Sequence, residues 1–128
     1  MNGGYQDFRD LLAYKKAFEQ TMTIFENTKS FPKEEKYALI DQIRRSSRSV
    51  CANLAEAFRK RIYPNHFLLK ITDCLGENSE TLVWLDISLE CEYIDKVTYD
   101  HLILINEEVG KLLSYMYNHP EKFGVIRL

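Results

Sequence analysis

The chain has 128 residues, 45% of them hydrophobic and 28% charged, with 5 Gly and 3 Pro. This make-up fits one soluble domain over residues 1–128 and excludes a collagen repeat, a disordered polar chain and a disulfide scaffold. Formal charge is −2, but residues 1–62 carry 12 Lys/Arg against 8 Asp/Glu and residues 63–128 carry 5 against 11, so the halves stand at +4 and −6. Such polarity attracts nucleic acid to the basic half or makes copies of the chain complementary to one another.

At this length roughly two thirds of the surface is buried on folding, so a core forms without a metal or disulfide staple. No apolar run approaches the roughly 20 residues that span a bilayer, and Met1–Asp10 lacks the basic start and apolar stretch of a leader. A cytoplasmic protein with no membrane partner is expected. Cys51, Cys74 and Cys91 match neither a redox pair nor a zinc set and read as buried thiols.

The first predicted helix covers about 5–28, with Phe8, Leu11, Phe18, Met22 and Phe25 at steps of three, four or seven as its inward stripe. Phe31-Pro32 opens the second, over about 32–60, because proline suits a first turn and Glu34 and Glu35 complement the positive helix end. Ile62-Tyr63-Pro64-Asn65 is the next break. A third helix follows over about 65–92, carrying Phe67, Leu68, Ile71, Leu75, Leu82, Leu85 and Leu89. Asp95 caps the fourth, over about 95–119, with Leu102, Ile105, Val109, Leu112 and Met116 as its stripe. Pro120 ends it, leaving a loose tail over 120–128. Long helices joined by short turns imply an all-α, antiparallel up-down-up-down four-helix bundle.

The second helix is the most informative. At 100° per residue, Leu39, Ile43, Val50, Leu54 and Phe58 form its core stripe, while Asp41, Arg44, Arg48, Cys51, Ala55 and Arg59 lie on the far side. Between them runs a row that is polar throughout: Gln42, Arg45, Ser49, Asn53 and Glu56. Asn and Ser are indifferent helix formers, so their gathering beside the apolar stripe points to hydrogen bonding with another helix, of this chain or of a sister copy. The alternative is a plain polar flank.

These same residues resemble a known family. Phe31-Pro32 with Glu35, Tyr37-Ala38-Leu39, Gln42-Ile43-Arg44-Arg45, Ser49 and Asn53 to Arg59 are similar to the central motif of the 23S rRNA intervening-sequence four-helix-bundle family. Leu11, Ala13, Tyr14 and Ala17 before it, and Gly76, Glu80, Leu85, Tyr93 and Ile94 after it, extend the likeness over about residues 8–115. Cys51 stands where members usually have proline, Ala57 replaces a glycine and Glu77 a small hydroxyl residue. The resemblance implies a bundle assembling as a ring-like homo-oligomer, often a pentamer, with no established enzymatic activity. Relatives include the accessory variability protein of diversity-generating retroelements, which binds nucleic acid and a reverse transcriptase. Glu80 joins the helix-two row as an interface residue on this likeness.

Arg44, Arg48, Arg59, Lys60 and Arg61 are the candidate nucleic-acid strip, which would neutralise phosphates in a salt-dependent way. The alternatives are a solvated face, or a mate for the acidic second half through Asp73, Asp86 and Glu90. Few aromatics interleave with the strip, so base stacking and sequence readout are not expected and any nucleic-acid binding should be non-specific. Arg61 and His66 have the R-x4-H spacing that resembles the HEPN ribonucleases, although Ile62 follows the arginine and Pro64 breaks the helix between them. No glutamate precedes His66, His101 or His119 at the spacing a di-iron bundle uses, and no nucleotide or hydrolase motif occurs. Trp84, Tyr14, Tyr37 and Tyr115 are expected in core or subunit contacts. The expected protein is a non-enzymatic homo-oligomer with no cofactor or metal, binding RNA or a nucleoprotein partner such as a reverse transcriptase. A pure protein scaffold is the alternative, and a HEPN-like ribonuclease using Arg61 and His66 is a more remote one.

Overall fold

A computed structural model describes residues 4–126. Its helices are α1 (Leu12–Thr28), α2 (Leu39–Arg59), α3 (Pro64–Glu90) and α4 (Lys96–Asn118), with no strand among the described residues. α1 packs on α2, α2 on α3, α3 on α4, and α4 returns to α1, making a four-helix bundle.

Local chemistry sets the ends. α3 begins at Pro64, and the Asp95 carboxylate accepts the Thr98 N–H at 2.7 Å to cap α4. Two starts differ from the sequence expectation. Ahead of α1, Phe8–Asp10 form a 3-10 turn whose capping box joins Asp7 and Asp10, and Leu11 is extended, so the α-helix opens at Leu12. Pro32 opens only the 3-10 turn Lys33–Glu35. Ala38, at φ −125° and ψ −105°, then interrupts the chain before α2 starts at Leu39. The Glu35 carboxylate spans that break, accepting the Leu39 N–H at 3.3 Å and the Tyr93 hydroxyl at 2.8 Å.

The tail from Pro120 is packed, contrary to expectation. Pro120–Phe123 form a 3-10 turn, Gly124 takes φ +88°, and Pro120, Phe123 and Val125 are buried. The Phe123 ring stacks on Tyr5 at 5.5 Å, and its carbonyl accepts from Arg61 Nη1 at 3.2 Å. Tail residues 127 and 128 lie outside the described residues.

Two apolar clusters form the core. One joins Ala13, Ala17, Val50, Leu54, Phe67, Ile71, Cys74, Val109 and Leu113; the other joins Ile24, Ile43, Leu85 and Leu102. Between them, on every helix, lies a buried polar residue: Gln20 and Thr21 on α1, Ser46 and Ser47 on α2, Asn78 and Thr81 on α3, Asn106 on α4. Gln20 Nε2 donates to Asn78 Oδ1 at 3.2 Å, and Asn106 Nδ2 donates to Gln20 Oε1 at 2.8 Å and to the Asn78 carbonyl at 3.0 Å. Asn78 Nδ2 returns a bond to the Asn106 carbonyl at 3.0 Å. The Ser46 and Thr81 hydroxyls pair at 2.8 Å. Among the described residues no buried side-chain N or O lacks a partner.

This layer corrects the reading of α1. Phe18 and Met22 are 48% and 42% exposed and Phe25 is half-buried, while Ala13, Ala17, Gln20, Thr21, Ile24 and Thr28 face inward. The helix is turned by about one residue, roughly 100°, from the orientation that hydrophobicity alone favours. An amide buried without a partner costs about 1–3 kcal/mol, and only this orientation brings Gln20 to Asn78 and Asn106. On α4 the inward residue is Leu113, with Leu112 only half-buried. Of the cysteines only Cys74 is buried; Cys51 is half-buried and Cys91 exposed. Trp84 and Tyr14 are half-buried, and Tyr37 and Tyr115 are exposed. No helix among the described residues is long and apolar enough to cross a membrane.

Candidate functional site

α2 has two flanks of different chemistry. Its expected core stripe, Leu39, Ile43, Val50, Leu54 and Phe58, is buried throughout. The polar row therefore falls along the outer edge of the α2/α3 contact. Gln42, Ser49 and Asn53 are half-buried, and Arg45 and Glu56 are exposed.

α3 clasps part of this row. Lys70 Nζ donates to Asn53 Oδ1 at 3.3 Å and pairs with Glu56 at 2.8 Å, and the Glu56 hydrogen bond above all, with the charges of Glu56 and Asp73, holds the Lys70 ammonium above the usual lysine range. Ser49 on α2 acts to lower the pKa of the Glu77 carboxyl on α3. Partial burial, with the nearby Glu80 charge, nevertheless keeps that carboxyl above its usual range. Glu80, half-buried on α3, accepts the Trp84 indole N–H at 3.3 Å. Arg45 Nη2 donates to Gln42 Oε1 at 3.4 Å, and its charge acts on Glu77. On the face that 100° steps set opposite its buried residues, α3 exposes Leu69, Val83 and Ile87, at 62%, 50% and 39%, and a Cβ built on Gly76 meets nothing within 4 Å.

The other flank faces α1. Thr21 donates to the Ser47 carbonyl at 3.0 Å and lies 3.7 Å from Cys51 Sγ, and Arg44 Nε donates to Thr28 Oγ1 at 2.8 Å. Residues at steps of three and four share a helix face, so Phe18 and Phe25 lie on the α1 side marked by Thr21 and Thr28. The same spacing puts Arg48, Ala55 and Arg59 in line with Arg44. The Arg44 guanidinium stands 4.8 Å from the Phe25 ring centre. Tyr14 bridges Phe8 at 5.1 Å and Phe18 at 6.0 Å between ring centres. Phe8, Phe58 and Arg59 line one shallow recess at the end of this row.

The expected basic strip is thus divided. Arg48 and Arg59 are exposed and form no ion pair among the described residues. Arg61 is differently engaged: Nε donates to the Phe58 carbonyl at 2.8 Å, Nη1 to the Phe123 carbonyl, and the guanidinium covers the Phe58 ring at 3.6 Å. Burial lowers its pKa. His66 is exposed, against the Tyr63 ring at 5.6 Å. Arg61, Ile62, Pro64, Asn65 and Leu68 border an open hollow of about 770 Å³ with Gly124 and Ile126. Among the described residues no group of His, Cys, Asp and Glu is placed to hold a metal.

Sequence reasoning missed the α1 aromatics as surface residues. The available signal was the spacing of Ala13, Ala17 and Gln20, a small and polar face suited to close helix contact.

Comparison with known proteins gives a family and a fold relative. No curated protein matches the chain. The crystal structure of a protein of unknown function from the S23 ribosomal protein family of Bacteroides thetaiotaomicron VPI-5482 is similar, with 29% identity and a TM-score of 0.76 over 84% of this chain and 96% of that one. The profile of the 23S rRNA-intervening sequence protein family matches residues 9–115, a span that includes both flanks of α2, and the chain belongs to that family.

Proposed function

We propose that the chain is a non-enzymatic, cytoplasmic homo-oligomer, an up-down-up-down bundle whose copies join through the α2/α3 flank into a ring and bind nucleic acid or a nucleoprotein through the strip facing α1. The observation that carries the assembly is the α2/α3 flank itself. A partly buried polar row of α2 meets α3 there, and the outer face of the same α3 exposes Leu69, Val83 and Ile87, with open space over Gly76. Apolar surface bordered by polar groups with unused hydrogen-bonding capacity suits a protein partner. Five copies is the number the family resemblance implies.

The alternating direction of the helices has its own support. Along α1 the order is Ala17, Gln20, Ile24, from the first apolar cluster through the polar layer to the second; along α2 it is Ile43, Ser46, Val50, the reverse. α3 repeats the order of α1 in Cys74, Asn78, Leu85, and α4 that of α2 in Leu102, Asn106, Val109. The absence of catalysis is supported by Arg61, whose guanidinium is committed to two carbonyls and a ring instead of standing free beside His66.

Native mass measurement tests the assembly. Wild type is expected at a multiple of 15.1 kDa. Val83→Glu, which places a charge on the exposed stripe, is expected to shift the mass to one copy with unchanged helicity. A wild-type protein that stays at one copy overturns the reading.

A further inference from the structure

The α1/α2 flank combines two chemistries that come from different helices. α2 supplies Arg44, Arg48 and Arg59 in one line, and α1 supplies Tyr14, Phe18 and Phe25 along the facing edge, with Phe8 at the end. Phe18 is about half exposed, at 48%, although burying an aromatic of that size in the core is strongly favourable. The polar layer that turns α1 inward at Gln20 therefore turns its aromatic row outward, beside arginines.

We infer that this flank binds single-stranded nucleic acid, bases stacking on Phe18 and Tyr14 while Arg48 and Arg59 neutralise phosphates. The inference rests on the nucleic-acid part of the proposed function and deepens it, because phosphate contact alone does not favour a single strand, whose charge density is lower than a duplex's. Aromatic faces accept any base, whereas a duplex keeps its bases stacked on one another. The acidic half of a second copy would also suit Arg48 and Arg59, which carry no ion pair among the described residues, but the exposed Phe18 on the facing edge of α1 adds an aromatic face, and that combination favours a strand whose bases stack while its phosphates pair. Arg44 is held at Thr28 and over Phe25, so it acts as a fixed wall of the groove. Arg61 takes no part.

Fluorescence anisotropy with a labelled single-stranded RNA, the same DNA strand and the RNA duplex tests it, over a range of salt. Single strands are expected to bind more tightly than the duplex. Phe18→Ala is expected to weaken single-strand binding about tenfold and leave duplex binding unchanged. Arg48→Ala is expected to weaken all three and lower the single-strand salt slope by about 0.7. RNA tighter than DNA identifies a contribution from the 2′-hydroxyl; equal affinities leave stacking and phosphate contact as the whole of the recognition, and both agree with the inference. Equal binding of strand and duplex with no effect of Phe18→Ala overturns the stacking site while the phosphate-binding reading stands. No binding of any probe overturns both. If Phe18→Ala or Arg48→Ala lowers the native mass without altering nucleic-acid binding, the flank is a seam between copies and the inference fails. Circular dichroism of both variants controls for folding.

Discussion

The bundle contains two polar rows that look alike in sequence and differ in environment. Gln20, Asn78 and Asn106 meet from three helices at mid-height, each under a tenth exposed and each bonded to the others. Gln42, Arg45, Ser49, Asn53 and Glu56 run along one helix at the α2/α3 edge, where Lys70 bonds to Asn53 and Glu56. Asn and Gln mark both rows, so residue type alone does not distinguish a closed network from an open flank. The difference is the number of partners. An amide surrounded on three sides locks helix register, whereas one served from a single side keeps capacity for another molecule.

The comparison breaks first at Asn106. Asn106→Ala removes donors from Gln20 and Asn78 and leaves a hollow between the apolar clusters, so a loss of about 3 kcal/mol and roughly 10 °C in Tm is expected by thermal unfolding. A loss under about 1 kcal/mol means that water enters and the layer does not set the packing. Asn53→Ala, made in the α2/α3 row, is expected to cost less than about 1 kcal/mol in the single copy, since it loses one long, part-buried bond from Lys70, which keeps its pair with Glu56, yet to weaken assembly measured by native mass. Equal costs for the two substitutions erase the distinction between the rows.

The smallest expected effect concerns the link between the 3-10 turn before α2 and the α3–α4 connection. The Glu35 carboxylate, accepting the Tyr93 hydroxyl at 2.8 Å, pushes that phenol up to about 12, with burial adding to the shift. Because an unfolded tyrosine titrates near about 10, the neutral phenol is favoured in the folded chain. The resulting stabilisation is whole below about pH 10 and is lost as pH rises through about 12. Tyr93→Phe is expected to lower the denaturant midpoint at neutral pH and to converge with wild type above that window. Parallel pH profiles remove the contact from the account.

Much of this fold was legible from spacing. The core stripe of α2, the Asp95 cap, the Pro64 start of α3 and the four-helix count follow from periodicity and backbone chemistry, which act within a few residues. The candidate site was legible only in half. Arg44, Arg48 and Arg59 stand in line on one helix, so 100° steps find them, but the aromatics beside them lie on α1 and belong to the strip only through the bonds of Thr21 and Thr28 with α2. The packed tail was missed for the same reason: Phe123 and Val125 read as a short apolar remnant until Tyr5 and Arg61 supply their contacts.

Local sequence thus determined where helices start and stop and which face of α2 is apolar, because caps, prolines and periodic side chains exert their effects along one stretch of backbone. Tertiary structure alone decided the rotation of α1. Its aromatic stripe and its Ala-Gln-Thr face competed for the interior, and the second prevailed because Gln20 satisfies its amide there only when Asn78 and Asn106 arrive from helices far away in the chain.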